Sequence, residues 1–311
     1  MIKKENNNMK KNFYTINLKI KSMTMPDKIY DYITYPKTFE NYRWYKPILV
    51  FIVSSIIMLI LGGLAVGAFY LIVGQESIIS AFNGGYGTLN SPLGILLTDL
   101  ILIMIIPSLY FGSRIVKDRP FSSYSSSRGG WNYKLYFKAL VIPLILFIIF
   151  EVITSIINGP KGTSNVSITF ILVLLIFVPL QSIAEEYLFR GLIMQTLESW
   201  FKIPVLAIVL QAVIFALGHG YNSIGLVEML FMGLVYGFFA WKTNGIEVSS
   251  ALHTANNLSF GLFVMLGLDL STSSPELTSV IISCAFIIIL TLIMYYVGKK
   301  TEGFGEIPEN S

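Results

Sequence analysis

The sequence predicts an all-α, polytopic membrane protein, and three observations support this fold class. The mean hydropathy is +0.68, and only 13% of the residues are charged, against about 25% in soluble globular domains. Several apolar runs approach the ~20 residues that a helix needs to cross a ~30 Å hydrocarbon layer. Basic residues collect at alternate connections between these runs. Together these features exclude a soluble domain and predict one membrane domain.

Eight apolar runs are candidate membrane spans, which we number one to eight. They cover residues 48–73, 93–112, 135–157, 166–184, 203–218, 224–241, 248–268 and 277–297. Several lie near the lower length limit for a transmembrane helix. Prolines fall inside runs two, three and four, at Pro107, Pro143 and Pro179. Membrane helices tolerate proline where neighbouring groups satisfy the freed backbone carbonyls.

Two pairs of glycines are spaced four residues apart inside the apolar runs. Gly63 and Gly67 lie in run one, and Gly233 and Gly237 lie in run six. Small residues at this spacing let two membrane helices approach closely. We interpret both pairs as helix-packing positions, with dimerisation as the alternative.

The distribution of basic residues predicts the orientation, because short cytoplasmic loops are enriched in Lys and Arg. Residues 1–46 carry ten Lys and Arg, and the connection 113–134 carries five. The remaining connections on that side also carry basic residues, at Lys202, Lys242 and Lys299 with Lys300. The opposite connections hold only Lys161. Eight transmembrane helices with both the N- and C-termini in the cytoplasm fit this pattern.

This topology divides the chain into three parts. A basic cytoplasmic tail, residues 1–46, precedes an eight-helix membrane domain, residues 47–298, and a cytoplasmic tail follows at residues 299–311. The net charge of +4 is explained by this topology, so the expected partner is the lipid bilayer and not nucleic acid. We expect the N-terminal tail to be a solvated leader, with contact to anionic lipid headgroups as the alternative. The oligomeric state is not predicted.

Both histidines of the chain, His219 and His253, lie in apolar stretches beside other polar groups. Ionisable side chains are costly inside a bilayer, so their presence there indicates function. Asn257 follows His253 by four residues and shares its helix face. The single cysteine, Cys284, allows neither a disulfide nor a thiolate metal cluster.

The segment after run four carries Glu185, Glu186 and Arg190 without a turn signal, so we expect this helix to continue towards Trp200. Positions four apart share a helix face, whereas adjacent positions diverge by about 100°. We therefore expect Glu186 to pair with Arg190 and Glu185 to face a cavity.

Residue counts predict the depth of the site. Glu185 and His219 each lie about 17 residues from the turn near residues 201–204, so an antiparallel hairpin places them level. His253 lies about eight residues beyond its own turn, a depth difference of roughly 13 Å. The depths agree if the hairpin of runs four and five projects into the cytoplasm.

We therefore predict a projecting hairpin and a site in the cytoplasmic half of the membrane. The tip residues Glu198, Trp200 and Lys202 fit a wet, interfacial location. A corollary is that the segment 218–225 turns before it reaches the outer face.

Three motifs, Glu185-Glu186-x-x-x-Arg190, Phe215-x-x-x-His219 and His253-x-x-x-Asn257, occur in this order. Together they resemble the motifs of the CAAX-protease and bacteriocin-processing (CPBP, or Abi) family of intramembrane proteases, which includes the type II CAAX prenyl endopeptidase. The resemblance covers roughly residues 166–268.

The resemblance implies hydrolysis of a peptide bond inside a membrane cavity. Glu185 and His219 would activate a water, and His253 and Asn257 would stabilise the tetrahedral oxyanion. Glu186 and Arg190 would support the site.

A zinc ion is an alternative, because two histidines and a glutamate match the ligand set of catalytic zinc sites. Its ligands would be Glu185, His219 and His253. We favour the metal-free site, since the two histidines lie on different helices and not one turn apart.

Three other acidic residues lie in or near the apolar runs, namely Asp99, Glu151 and Glu228. We expect structural hydrogen bonds for each, with Glu228 the best candidate for a cavity contact.

The leading hypothesis is an intramembrane endopeptidase in a cell membrane, with a membrane-associated peptide or protein as substrate. Abundant Lys, Asn and Ile in the N-terminal tail indicate an AT-rich bacterial source, which favours peptide maturation or bacteriocin self-immunity over prenylated proteins. A non-catalytic scaffold, or a bacteriocin-immunity protein using the same cavity, is the alternative. A proton-coupled transporter is a third, but the internal repeats that would support it are not evident.

Overall fold

The computed structural model of the chain describes residues 30–76, 78–79, 89–270, 274–301 and 304. Among these residues the named elements are all helices, which confirms the predicted all-α class. In chain order, the α-helices are α1 (Lys46–Val73), α2 (Pro92–Ile103), α3 (Ile105–Val116), α4 (Ser122–Ser125), α5 (Tyr133–Asn158), α6 (Ile168–Glu186), α7 (Gln195–Phe201), α8 (Pro204–Leu217), α9 (Ser223–Lys242), α10 (Glu247–Met265) and α11 (Leu277–Thr301). Most of the predicted tails, at residues 1–29, 302–303 and 305–311, lies outside the described residues.

Six helical segments of the described chain are long and apolar enough to cross a membrane. They are α1, α2 with α3, α5, α6 through α7, α9 and α11, and they confirm a polytopic membrane protein. The other two predicted spans also form helices. However, α8 has only 14 residues, and α10 carries too many polar groups to qualify by hydropathy. The count of eight spans and the cytoplasmic termini stay predictions.

The polarity of α10 is explained by its central position. It packs chiefly against α5, then α6 and α9, and 15 of its 19 residues are buried. Its polar side chains therefore face protein. A helix enclosed in this way can carry ionisable groups that a lipid-facing helix cannot.

Proline explains one interruption in the predicted spans. α2 ends at Ile103 and α3 begins at Ile105. Pro107 lies in the first turn of α3 and has no N–H to donate to the carbonyl of Ile103, four residues earlier. The span therefore breaks at Met104, whereas Pro143 and Pro179 lie inside continuous helices.

The helix that begins at Ile168 continues to Phe201, as predicted from the absence of a turn signal. Its middle part, Tyr187–Met194, is a π-helix, which the sequence did not predict. Segments of π-helix inside α-helices are frequently found at functional sites. The turn at Lys202, where φ is +58°, then starts α8.

The two glycine pairs behave differently. A Cβ atom added at Gly233 would lie 2.9 Å from the Cα of Ala212, and one at Gly237 would lie 2.6 Å from the side chain of Gln211. These contacts confirm close packing of α8 on α9. The same interpretation is wrong for Gly63 and Gly67, because nothing lies within 4 Å of their added Cβ positions.

Residues 30–45 fold against the end of the α6–α7 helix, so the expected solvated leader is wrong for this part of the tail. Tyr32 and Ile33 are fully buried, and the Tyr32 hydroxyl donates to the carbonyl of Tyr124 at 2.5 Å. We call residues 30–45 and 118–131 the polar cap.

The expected wet location of the hairpin tip is wrong for Glu198. It is buried, and its Oε2 lies 2.7 Å from Lys37 Nζ. Trp200 is exposed, as expected. The polar cap therefore covers part of the tip, which a count of residues between turns does not reveal.

Candidate active site

The two glutamates at the end of α6 have different partners. Both are buried, and Glu186 Oε1 accepts a hydrogen bond from Arg190 Nη1 at 2.9 Å. This contact confirms the predicted Glu186–Arg190 pair. Arg190 also donates through Nη2 to the carbonyl of Gly233 on α9, at 3.2 Å. The pair thus fixes the π-helix to α9.

Aromatic rings surround the buried guanidinium of Arg190. Its central carbon lies 4.6 Å from the ring centroid of Phe215 and 5.1 Å from that of Tyr236. The electron-rich faces of these rings attract a cation. Together with the carboxylate of Glu186 they offset the cost of removing the guanidinium from water.

His253 of α10 lies between the two glutamates. Its Nδ1 is 3.0 Å from Glu186 Oε1, and its Nε2 is 3.8 Å from Glu185 Oε2. The imidazole also stacks on Tyr236, with the centroids 4.9 Å apart. Because a carboxylate only accepts hydrogen bonds, Nδ1 carries a proton and Nε2 faces Glu185.

Asn257 reaches Glu185 through Gln181, a residue that was not among the predicted site residues. Asn257 Nδ2 donates to Gln181 Oε1 at 3.2 Å, and Gln181 Nε2 donates to Glu185 Oε1 at 2.7 Å. Gln181 precedes Glu185 by four residues. The same spacing rule that paired Glu186 with Arg190 therefore offered a signal for it.

His219 lies just beyond the end of α8, half-buried, and is linked to the other residues through Phe215. Its Nδ1 is 2.7 Å from the backbone carbonyl of Phe215, which only accepts, so Nδ1 is the donor and Nε2 holds the lone pair. The Phe215 ring centroid is 4.5 Å from that of His219 and 6.0 Å from that of His253. The structure thus joins five of the six predicted residues by polar contacts and His219 by ring contact.

The predicted zinc ligands do not form a metal-binding cluster. In the described part of the chain, no three His, Cys, Asp or Glu side chains are arranged to hold a metal ion. Nδ1 of His253 donates to Glu186, which leaves Nε2 available and is also a common arrangement for zinc-ligating histidines. The zinc alternative therefore stays a prediction, and we derive no chemistry through a metal.

Of the other three acids, Asp99 and Glu151 are buried and Glu228 is half-buried. The carboxylate of Glu228 makes a hydrogen bond with Ser283 of α11. This bond ties two helices together and supports the structural role expected for it.

Comparison with known proteins locates the family resemblance in the same part of the chain. Residues 164–259 match the family model described as type II CAAX prenyl endopeptidase Rce1-like. The uncharacterized protein YyaK of Bacillus subtilis (strain 168) is 28% identical over 189 residues, which cover 57% of this chain and 63% of YyaK. The match therefore spans less than two thirds of that relative. No solved structure matches the chain.

The matched segment includes Glu185, Glu186, Arg190, His219, His253 and Asn257. The segment that carries the three motifs is therefore similar to the Rce1-like family, as the motifs predict.

Proposed function

We propose that this protein is an intramembrane endopeptidase that hydrolyses a peptide bond with a water activated at Glu185. One observation carries the proposal. A buried carboxylate from α6 lies 3.8 Å from an imidazole nitrogen of α10, inside a segment that resembles membrane proteases of the CAAX type. Both side chains are held by further polar contacts, so a reacting water would meet prearranged groups.

Glu185 is the proposed proton acceptor. Its Oε1 accepts from Gln181, whereas Oε2 is buried and has no hydrogen-bond partner among the described residues. Oε2 takes a proton from the water, whose oxygen attacks the peptide carbonyl carbon. When the tetrahedral intermediate collapses, the C–N bond breaks and the proton passes from Glu185 to the departing amine. The products are a carboxylic acid and an amine.

Asn257 and His253 are the proposed oxyanion donors. An asparagine amide has two N–H groups, and Gln181 engages one of them. Since Nδ1 of His253 donates to Glu186, Nε2 can donate only when the ring is doubly protonated. The ring lies between the carboxylates of Glu185 and Glu186. A donor aimed at the developing charge typically contributes ~3 kcal/mol.

His219 is the proposed second proton acceptor. Its Nε2 holds the lone pair, because Nδ1 donates to the Phe215 carbonyl. Among the described residues, the ring of Phe215 lies between the ring of His219 and that of His253. We therefore assign it an auxiliary role beside Glu185.

The proposed substrate is a membrane-associated peptide or protein, and the proposed location is a bacterial cell membrane. Maturation of a peptide or bacteriocin self-immunity fits this setting. The alternative is a non-catalytic scaffold, or a bacteriocin-immunity protein, that uses the same cavity without cleavage.

Purified protein in liposomes, mixed with fluorogenic membrane-anchored peptides in ¹⁸O-water, separates these functions. We expect wild type to release a fragment whose new carboxyl terminus carries one ¹⁸O atom. Glu185→Gln should reduce cleavage at least 100-fold while its thermal unfolding midpoint stays near wild type. Glu228→Gln is the matched control and should keep full activity, since Glu228 bonds Ser283. Cleavage retained in Glu185→Gln contradicts the proposed base, and no cleavage by wild type favours the scaffold.

A further inference from the structure

Gln181 joins the proposed base to the proposed oxyanion donor. It is buried on α6, one turn before Glu185, and its amide nitrogen donates to Glu185 Oε1 at 2.7 Å. Its amide oxygen accepts from Asn257 Nδ2 at 3.2 Å and from Ser182 Oγ at 3.3 Å. One side chain therefore contacts residues of two helices.

The carboxylate of Glu185 determines how these amides are oriented. A carboxylate only accepts, so Gln181 must present its NH₂ group to Glu185 and its oxygen to Asn257. Asn257 must then present its own NH₂ group to Gln181. Its Oδ1 accepts from Asn256 Nδ2 at 2.9 Å, which completes a chain of amides pointing the same way.

This orientation determines which atoms of Glu185 and Asn257 are left to react. Because Gln181 occupies Oε1 of Glu185, the unpartnered oxygen is Oε2, the one that faces His253. Because Gln181 also holds one N–H of Asn257, the other N–H is the one left to donate. Gln181 thus selects one oxygen of Glu185 and one N–H of Asn257.

We propose that Gln181 is a positioning residue, which holds Glu185 and Asn257 in the geometry for attack by water. The inference rests on the proposed endopeptidase function. It adds a residue outside the three motifs. In this proposal, the amide of Gln181 aligns the base, Glu185, with the oxyanion donor, Asn257.

Replacing Gln181→Met tests the inference, since methionine keeps the side-chain length and removes the amide. Misplacing reacting groups by about 1 Å can reduce a rate 100-fold. We therefore expect kcat to fall roughly 10- to 100-fold and KM to change less than about twofold, because substrate binding is retained.

The matched control is Gln195→Met. Gln195 is also buried on the same continuous helix, but its amide contacts Arg119 and the Tyr32 carbonyl in the polar cap. A general effect of losing a buried amide would lower kcat in both variants. We expect the loss in Gln181→Met alone.

Infrared spectroscopy gives a readout that needs no substrate. The carboxylate band that disappears in Glu185→Gln identifies Glu185, and its frequency reports hydrogen bonding. We expect this band to shift in Gln181→Met and to stay in place in Gln195→Met. If wild type cleaves nothing, the proposed function fails, and the band alone decides whether Gln181 holds Glu185.

Coupling to Asn257 completes the test. If Gln181 acts through Asn257 as well as Glu185, Gln181→Met should cost less kcat in an Asn257→Ala background than in wild type. The inference is overturned by an unshifted band, by a Gln181→Met kcat within about twofold of wild type, or by equal losses in the two backgrounds.

Discussion

Glu185 and Glu186 differ in role because adjacent helix positions point in different directions. Glu186 joins Arg190 and His253 in one buried network, whereas Glu185 accepts a hydrogen bond from Gln181 and has no arginine partner among the described residues. The Glu186–Arg190 pair follows from spacing along one helix, so the sequence predicts it. The bond from His253 to Glu186 joins two helices, and no spacing rule along the chain specifies it.

Arg190 should be essential for folding as well as for the site. Arg190→Met leaves the carboxylate of Glu186 buried without its cation, and breaking a buried pair in this way costs about 3–5 kcal/mol. We expect a clear fall in the thermal unfolding midpoint in detergent, measured by intrinsic fluorescence.

The control is the double variant Glu186→Gln with Arg190→Met, which removes both charges. It should recover a large part of the lost stability, because no unpaired charge is left buried. A double variant as unstable as the single one would contradict this account of the pair.

At the scale of elements, the Ile168–Phe201 helix combines an expected feature with an unexpected one. Its continuation past Glu186 is predicted, since the sequence has no turn signal there. The π-helix at Tyr187–Met194 is not predicted. It lies against the polar cap, where Arg119 Nη2 donates to the Gly191 carbonyl at 2.9 Å. The π-helix therefore contacts cap residues that are distant in sequence. The local sequence of the helix does not specify these contacts.

We expect that the polar cap packs against the π-helix only when residue 191 is glycine. A Cβ atom at Gly191 would lie 2.6 Å from the Tyr124 carbonyl oxygen, so the backbone of one partner must move. Overpacking of this kind costs about 1–3 kcal/mol. We expect Gly191→Ala to lower the thermal unfolding midpoint and to increase proteolysis within residues 118–131.

Gly63→Ala is the matched control for Gly191→Ala. Gly63 also lies inside a helix, but nothing lies within 4 Å of its added Cβ position. Its unfolding midpoint should equal or slightly exceed that of wild type, because alanine favours the helix more than glycine. Equal behaviour of the two variants would show that the cap does not restrict Gly191.

At the scale of the whole molecule, hydropathy predicts which segments form helices better than it predicts which groups pack around them. Each of the eight apolar runs contains helix, because length and apolar composition are local properties. The enclosure of α10 and the burial of Tyr32 are not local. They depend on which distant groups satisfy buried polar atoms, and neither follows from counts of charge or residues.

The same limit explains the outcome for the site. The three motifs identify polar residues in neighbouring apolar runs, and from their order we expect these residues to lie close together. The position of His219 relative to the other site residues depends on where α8 ends and on the ring of Phe215, which lies between the two histidines. The sequence therefore predicts which residues belong to the candidate site better than it predicts the contacts between them.

The central claim is that Glu185 and His253, from separate helices, act in the same hydrolytic step, Glu185 as the base and His253 as an oxyanion donor. A double-mutant cycle in kcat/KM with Glu185→Gln, His253→Gln and the double variant tests it most directly. Residues that act as a unit are strongly non-additive, so we expect the double variant to be about as slow as the slower single variant. Losses that multiply in the double variant would contradict the claim, because they would show that the two side chains act independently.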